Sequence, residues 1–329
     1  MQKENGKIRS EYLLAALMCI AVALFLTILI VLNSCDVNEP EGSDSSEAST
    51  SASVESSEPV SSEESVPVTI VRVEVPSADV KKGLLVLTAL PEDGSTSSDE
   101  DTAGGSLINL YSSNAKKYAS EAEHPYGYSG VKLELREDAW KALNAMVEAF
   151  HTAKGKTRLM VDKSYVQNAS SLSDRTVEAD LTTGRAVLLS VYPADPDGDY
   201  LGSGKFLWLA DNCTNYGYIL RYPAEKAPST HVNGSNRLFR YVGYEHAAYM
   251  GKYHLCLEEY LETLRAYSAE SPLLVTYTDE SGNERSCEIY FVAVSGEGTI
   301  VLPIRGGEGE NISFSGNGSD GIIVTRYLD

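Results

Sequence analysis

Metal binding and nucleophilic catalysis need particular side chains at particular spacings, and here the candidates are few. The five histidines are His124, His151, His231, His246 and His254. They form no HxH, HxxxH or HExxH spacing, the arrangements that would bring two imidazoles to one metal. They read instead as packing and turn residues: His246 in GYEHAAYM caps or packs a helix, and His124 in EHPYGY lies in a turn. The five cysteines contain no CxxC pair, which argues against a structural zinc cluster. Cys213 and Cys256 fall in helical segments with no histidine that sequence can bring alongside as a base. Two constellations remain. Lys163, Ser164 and Tyr165 follow a buried strand, and by position alone they read as an exposed lysine and its neighbours at a strand end. Arg221, Tyr222 and Arg240 either line a cleft or form a buried network that supports a sheet, the usual fate of such groups.

The elements that must position these residues are readable from periodicity. Val68–Val75 alternates as a strand, Gly83–Leu90 reads as a more buried one, and Ser106–Tyr111 as a third. The acidic, Gly- and Ser-rich stretch Pro91–Gly105 reads as a loop. Glu137–His151 is an amphipathic helix with Ala139, Leu143, Met146, Val147 and Phe150 on one face, and it leads into a buried strand over Arg158–Val161. Trp208–Tyr216 is a short helix stopped by Gly217, followed by a core strand Tyr218–Tyr222. Gly243–Ala266 reads as one long amphipathic helix. From Ser271 onward the chain is β-rich: LLVTYT, CEIYFVAV, TIVLPI, NISFSG and GIIVTRY are short strands, and DESGNE turns between the first two. These strands are expected to pack on the main domain.

Ahead of all this lies a different kind of sequence. Tyr12–Leu32 is a continuous apolar run without charge, long enough to span a bilayer as a helix. Lys3, Lys7 and Arg9 precede it, and no Lys or Arg follows before Arg72, so the positive-inside rule places the remainder outside the cytoplasm. An uncleaved anchor is expected; processing as a lipoprotein at Cys35 is the alternative. Asp36–Val66 is Ser-, Glu- and Pro-rich and reads as a disordered tether. The expected organisation is a cytoplasmic stretch 1–11, an anchor 12–33, a linker 34–66, a folded domain 67–270 and a β-rich extension 271–329. The formal charge of −20 over 329 residues, much of it in the tail, argues against nucleic acid as a partner. In an extracytoplasmic setting, Cys213, Cys256 and Cys287 offer a disulfide whose pairing sequence leaves open.

The phrases NYGYILRYPAEK, LFRYVGYEHAAYM and LCLEEYLE resemble the VanY-type D-alanyl-D-alanine carboxypeptidases, zinc peptidases that trim bacterial cell-wall peptides. The resemblance runs from Val68 to the C-terminus and is strongest over Trp208–Glu262. It implies an α+β fold: a Hedgehog/D,D-peptidase-like core with a small antiparallel sheet and flanking helices, plus a C-terminal β-rich extension. The family's S.H..G.A.D motif, aligned on Gly184 and Ala186, places Leu181 at the histidine ligand and Leu188 at the aspartate ligand. Its PWHFRYVG phrase places Leu238 at the third ligand and Ser235 at the glutamate base. Its SGYRSY..Q phrase matches MVDKSYVQN, with Lys163 where an arginine helps hold the substrate carboxylate, Ser164 and Tyr165 conforming, and Asn168 in place of glutamine.

The resemblance therefore implies a scaffold whose zinc ligands and base are gone. Asp180 neighbours a lost ligand, but adjacent strand positions face opposite ways, which makes it a poor substitute. No cofactor is expected. The expected function is a membrane-anchored, outward-facing pseudo-peptidase that binds peptidoglycan stem peptides through Lys163, Ser164 and Tyr165 or regulates envelope partners. Two rivals stand beside it. One is an active zinc carboxypeptidase with relocated ligands; the other is an envelope interaction protein that binds no muropeptide. The sharpest structural expectation is that Leu181, Leu188 and Leu238 touch one another.

Overall fold

The computed structural model describes residues 70–87, 106–167, 179–306 and 311–328. The expected anchor, the linker, the loop 91–105, Cys35 and Asn168 lie outside them. Among the described residues no helix is long and apolar enough to cross a membrane. Residues 65–329 form one compact unit.

The centre is a five-stranded sheet, ordered β3-β5-β6-β8-β7, built from β3 (Gly127–Tyr128), β5 (Leu159–Lys163), β6 (Ala186–Val191), β7 (Tyr218–Tyr222) and β8 (Ser235–Tyr241). All pairings are antiparallel except β3 beside β5. Helix α2 (Glu137–Lys154) covers one face. It starts with Glu137 and Asp138 in the first turn, where carboxylates complement the helix dipole, and ends at Gly155 with φ 78°. Ala139, Leu143, Met146, Val147 and Phe150, spaced on one side, are all buried against Val161, Val187, Leu189 and Phe239. The alternation along β6 and β8 sends Leu188 and Leu238 to the other face.

Three segments depart from expectation. Gly83–Leu87 forms no strand. Its backbone is held piecemeal, with the Leu85 N–H donating to Ser315 Oγ at 2.8 Å and the Leu84 carbonyl accepting from Arg240 at 2.9 Å. The strand expected over Ser106–Tyr111 stops after β2 (Leu107–Asn109), which pairs with β4 (Glu134–Arg136). Asn109 then accepts the Ser112 N–H and caps helix α1 (Leu110–Lys117), a local preference that apolar alternation hides. The long helix expected over Gly243–Ala266 is two, α5 (Tyr244–Tyr253) and α6 (Leu257–Leu264). His254 adopts φ 52°, the Leu255 N–H returns to the Met250 carbonyl, and a reciprocal cap between Cys256 and Glu259 opens the second helix. Helix α3 (Leu207–Asn212) with the tight turn Cys213–Tyr216 ends at Gly217, φ 73°, as the sequence implies. A single turn α4 (Ala227–Thr230) precedes β8.

All five C-terminal strands are present: β9 (Leu273–Thr278), β10 (Glu284–Ala293), β11 (Thr299–Arg305), β12 (Ile312–Gly316) and β13 (Gly321–Tyr327). Four form an antiparallel sheet ordered β12-β13-β10-β9. Ile323 and Ile289 pack against α5 and α6, while Ile322 and Val324 share a core with Leu302 and Ile304 of β11. The early strand β1 (Ile70–Pro76) pairs antiparallel with β11. This pairing crosses the division expected at 270/271, so the extension is bound to the domain from both faces.

Candidate functional site

The sheet face away from α2 is where the three leucine positions converge. Leu188 and Leu238 are direct partners across β6 and β8, and Lys163 stands opposite Leu188 across a bulge in β5. Leu181 comes from a helical turn over 179–181. The chain re-enters the sheet through Gly184, whose φ of 67° a side chain would strain and whose Cβ would lie 2.9 Å from a Leu107 methyl. Leu181, Ala186, Tyr222 and Leu238 form one buried cluster, against which Leu188, Val166 and Val232 pack. The alignment positions thus share one place in space, and that place is apolar.

This donor set does not fit zinc. A catalytic zinc takes about three N, O or S donors with one position left for water. Leucine has no lone pair to offer, and a fully buried leucine side chain contributes about 1.5–3 kcal/mol to stability by leaving water. Among the described residues no group of three His, Cys, Asp or Glu side chains is placed to hold a metal. Ser235 opens β8 across from Tyr222, and its hydroxyl accepts the Arg237 N–H at 3.4 Å.

The one buried carboxylate beside the cluster is committed elsewhere. Asp180 Oδ1 accepts from Arg240 Nη1 at 2.9 Å and Arg221 Nε at 3.2 Å, and Oδ2 accepts from the Tyr222 hydroxyl at 2.5 Å. Arg221 also donates a two-pronged pair to Glu258 at 2.7 and 3.0 Å. Of the two readings of Arg221, Tyr222 and Arg240, the structure shows the buried network. Burial alone would lower both guanidinium pKa values. For Arg221 the carboxylates of Asp180 and Glu258 outweigh that cost and push its pKa up. Arg240 shares Asp180 and also feels Arg185 and Arg221, so burial wins and holds it down to about 10. Both remain charged at neutral pH. Glu258, at the start of α6, is the member that sequence reasoning missed; its signal was a carboxylate in the first turn of a helix facing the sheet.

The other nominated residues have structural duties. The Ser164 hydroxyl accepts the Glu134 N–H at 2.9 Å, and the Tyr165 N–H donates to the Glu134 carbonyl at 3.0 Å, tying β4 to the end of β5. His246 shares a hydrogen bond of 2.8 Å with the Tyr260 hydroxyl, and His124 one of 3.2 Å with Tyr128. His231 and His254 end α4 and α5 in left-handed conformation. His151 lies 3.3 Å from Thr157 Oγ1. Cys213, Cys256 and Cys287 are all buried, and the disulfide offered by the sequence does not form among them.

An α+β scaffold of the D,D-peptidase type is what this fold and face define, and comparison with known proteins agrees. The structure superposes on the vancomycin-resistance D,D-dipeptidase VanXYg, solved with a D-Ala-D-Ala phosphinate analogue, with a TM-score of 0.57 and 20% identity, covering 79% of this chain and 99% of that one. In sequence, the chain is 35% identical over 120 residues to a D-alanyl-D-alanine carboxypeptidase of Enterococcus faecium, 36% of either chain. It is 29% identical over 154 residues to one of Enterococcus faecalis (strain ATCC 700802 / V583), 41% of this chain and 58% of the relative. The chain thus spans between about a third and three-fifths of the length of these curated relatives. No family model matches it. Over these stretches the chain is similar in sequence to D-alanyl-D-alanine carboxypeptidases, and its fold is similar to that of a D,D-dipeptidase.

Proposed function

We propose that this chain is a pseudo-peptidase on the VanY-type scaffold, membrane-anchored and outward-facing, that binds cell-wall peptides or regulates an envelope partner. The observation that carries the reading is the packing of Leu181, Leu188 and Leu238 into one apolar cluster at the positions the resemblance gives to zinc ligands. Three donors replaced by one hydrocarbon side chain, which then pack together, remove the reason for a polar cavity. The commitment of Asp180 to two arginines and a tyrosine supports the same reading, because the nearest carboxylate is engaged. Peptide binding rests on the similarity to D-alanyl-D-alanine carboxypeptidases and on Lys163 beside Leu188, a point charge able to attract a carboxylate without the bidentate fork of arginine. Anchoring rests on the apolar run Tyr12–Leu32 and the basic residues ahead of it.

The test is the zinc content of the purified full chain, with D-Ala release from a pentapeptide ending in D-Ala-D-Ala. Neither bound zinc nor released D-Ala is expected; stoichiometric zinc with turnover would instead establish an active carboxypeptidase with relocated ligands. Titration of the same peptide against wild type and Lys163→Ala then separates binding from pure interaction. Saturable binding weakened by the substitution is expected, and none by the wild type would leave the envelope interaction protein as the reading.

A further inference from the structure

A groove of about 520 Å³ is formed where the C-terminal extension meets the main domain. Thr214 and Tyr216 come from the turn after α3, Tyr244 from the start of α5, and Tyr277, Asp279 and Glu280 from the hairpin joining β9 to β10. The volume is that of a small-ligand site. Its lining has two features that point to one ligand chemistry. Three phenol rings line it, and among the described residues the only ionisable side chains besides them are two carboxylates, with no Lys, Arg or His. An aromatic wall presents the negative side of ring quadrupoles, and carboxylates add formal charge of the same sign. An anion would meet repulsion here, and a neutral ligand would gain nothing from the charges.

We propose that this groove binds an organic ammonium cation. The extension then has a role, because without the β9–β10 hairpin the groove loses Tyr277 and both carboxylates. The hairpin is rigidly built for this. Asp279 Oδ1 accepts the N–H groups of Ser281 and Asn283, both at 2.9 Å, and Oδ2 pairs with Arg285 Nε at 3.0 Å. Arg285 takes up part of the Asp279 charge from outside the groove, which leaves exposed Glu280 as the chief electrostatic attraction for a ligand. Lys141 also feels Glu280 but is itself paired with Glu137 at 3.0 Å. Those contacts keep Asp279 ionised, with its pKa held to about 2. Burial, together with Glu280, Tyr216 and Asp279, pushes the Tyr244 phenol up to about 12, so its ring stays neutral through the physiological range. The inference is independent of whether the leucine face binds a peptide.

The test uses the full chain in a non-ionic detergent at constant ionic strength. Choline and n-butylammonium are the cationic probes, and the dimethylbutanol that matches choline in shape without its charge is the control. Trp208, whose ring centre lies 6.3 Å from that of Tyr216, is a fluorescence reporter, and saturation transfer to the ligand methyl groups is a second readout free of it. Saturable binding of at least one cation is expected, weakened roughly threefold or more by Glu280→Gln and by Tyr244→Leu, in the range cation–π contacts supply. Lys156→Ala, far from the groove, is expected to change nothing. Equal binding of the neutral alcohol, unchanged affinity in both groove variants, or no saturation by either readout would overturn the proposal.

Discussion

Leu188 on β6 lies directly opposite Leu238 on β8, and their side chains meet Leu181 on the same face of the sheet. Adjacent strands bring such partners within about 5.5 Å at the Cα atoms, the spacing at which two ligands would reach one ion and at which two leucines pack. Here the three side chains use that spacing for hydrophobic contact. Leu238→Ala is expected to destabilise the protein by about 2–5 kcal/mol, the range for a fully buried leucine, and Leu188→Ala by less because Leu188 is only half-buried. Denaturant midpoints of the two variants check the order.

Donors placed at these three positions test whether they converge closely enough to hold one metal ion. The triple variant Leu181→His, Leu188→Asp, Leu238→His is expected to bind zinc and to melt higher with zinc than with chelator, since a metal that binds only the folded state stabilises it. The wild type is expected to melt at the same temperature in both. Differential scanning fluorimetry with and without chelator makes the comparison. A triple variant indifferent to zinc would mean that the three positions do not converge as described.

Asp180 sits between two guanidinium groups, and its removal leaves both in a buried place with one fewer counter-charge. Breaking a buried pair in this way costs about 3–5 kcal/mol, more than the intact pair contributes, because the orphaned charge cannot return to water. Asp180→Ala is expected to lose stability on that scale. Equilibrium unfolding measures it, and a double-mutant cycle with Arg240→Met, which should recover part of the loss, shows whether uncompensated charge is the cause.

How much of this was visible beforehand varies by the range of the forces involved. The α2 face, the turn at Gly217 and all five C-terminal strands were legible, since periodicity and turn residues act locally. The break between α5 and α6 was not, because it depends on His254 accepting a left-handed conformation inside an otherwise continuous apolar pattern. The described part of the strand expected at Gly83–Leu90, Gly83–Leu87, departs similarly. Leu85 is buried as expected, but the carbonyls of Leu84 and Val86 go to Arg240, more than 150 residues away, rather than to a neighbouring strand. At the candidate site the resemblance located the leucines, while the partners of Asp180 needed coordinates. Charge pairing across the fold leaves no periodic trace.

The buried thiols give a chemical check on the core. Burial pushes Cys213 up to about 12 and Cys256 up to about 11, so neither forms an appreciable thiolate at neutral pH, and both are shielded from reagents. Residues 65–329, which lack the two N-terminal cysteines, are expected to show no thiol reactive towards Ellman's reagent when folded and three in denaturant. A reducing agent is expected to leave the melting temperature unchanged. A reactive thiol in the folded state would contradict the packing around it.

The last prediction concerns acid. His246 is buried between α5, α6 and β13: the Tyr260 hydroxyl faces Nδ1 at 2.8 Å, Thr325 Oγ1 lies 3.5 Å and Glu245 Oε1 3.6 Å from Nε2, and the Tyr327 hydroxyl donates to that same Glu245 oxygen. Burial lowers the His246 pKa, and the Glu245 charge only partly opposes it. A histidine that is harder to protonate when folded makes the unfolded chain the better proton binder once the pH drops below about 6.5. Its contribution to stability is therefore complete above that value and is lost as the pH falls from there through the lower folded pKa. His151, also lowered by burial, adds a slope of the same sign. Stability is expected to decline as the pH falls below about 6.5, and less steeply in His246→Gln, which keeps a polar group but cannot titrate. Denaturant unfolding across that range reads the slope, and an unchanged slope in the variant would show that the protonation of His246 is not what couples the C-terminal sheet to acid.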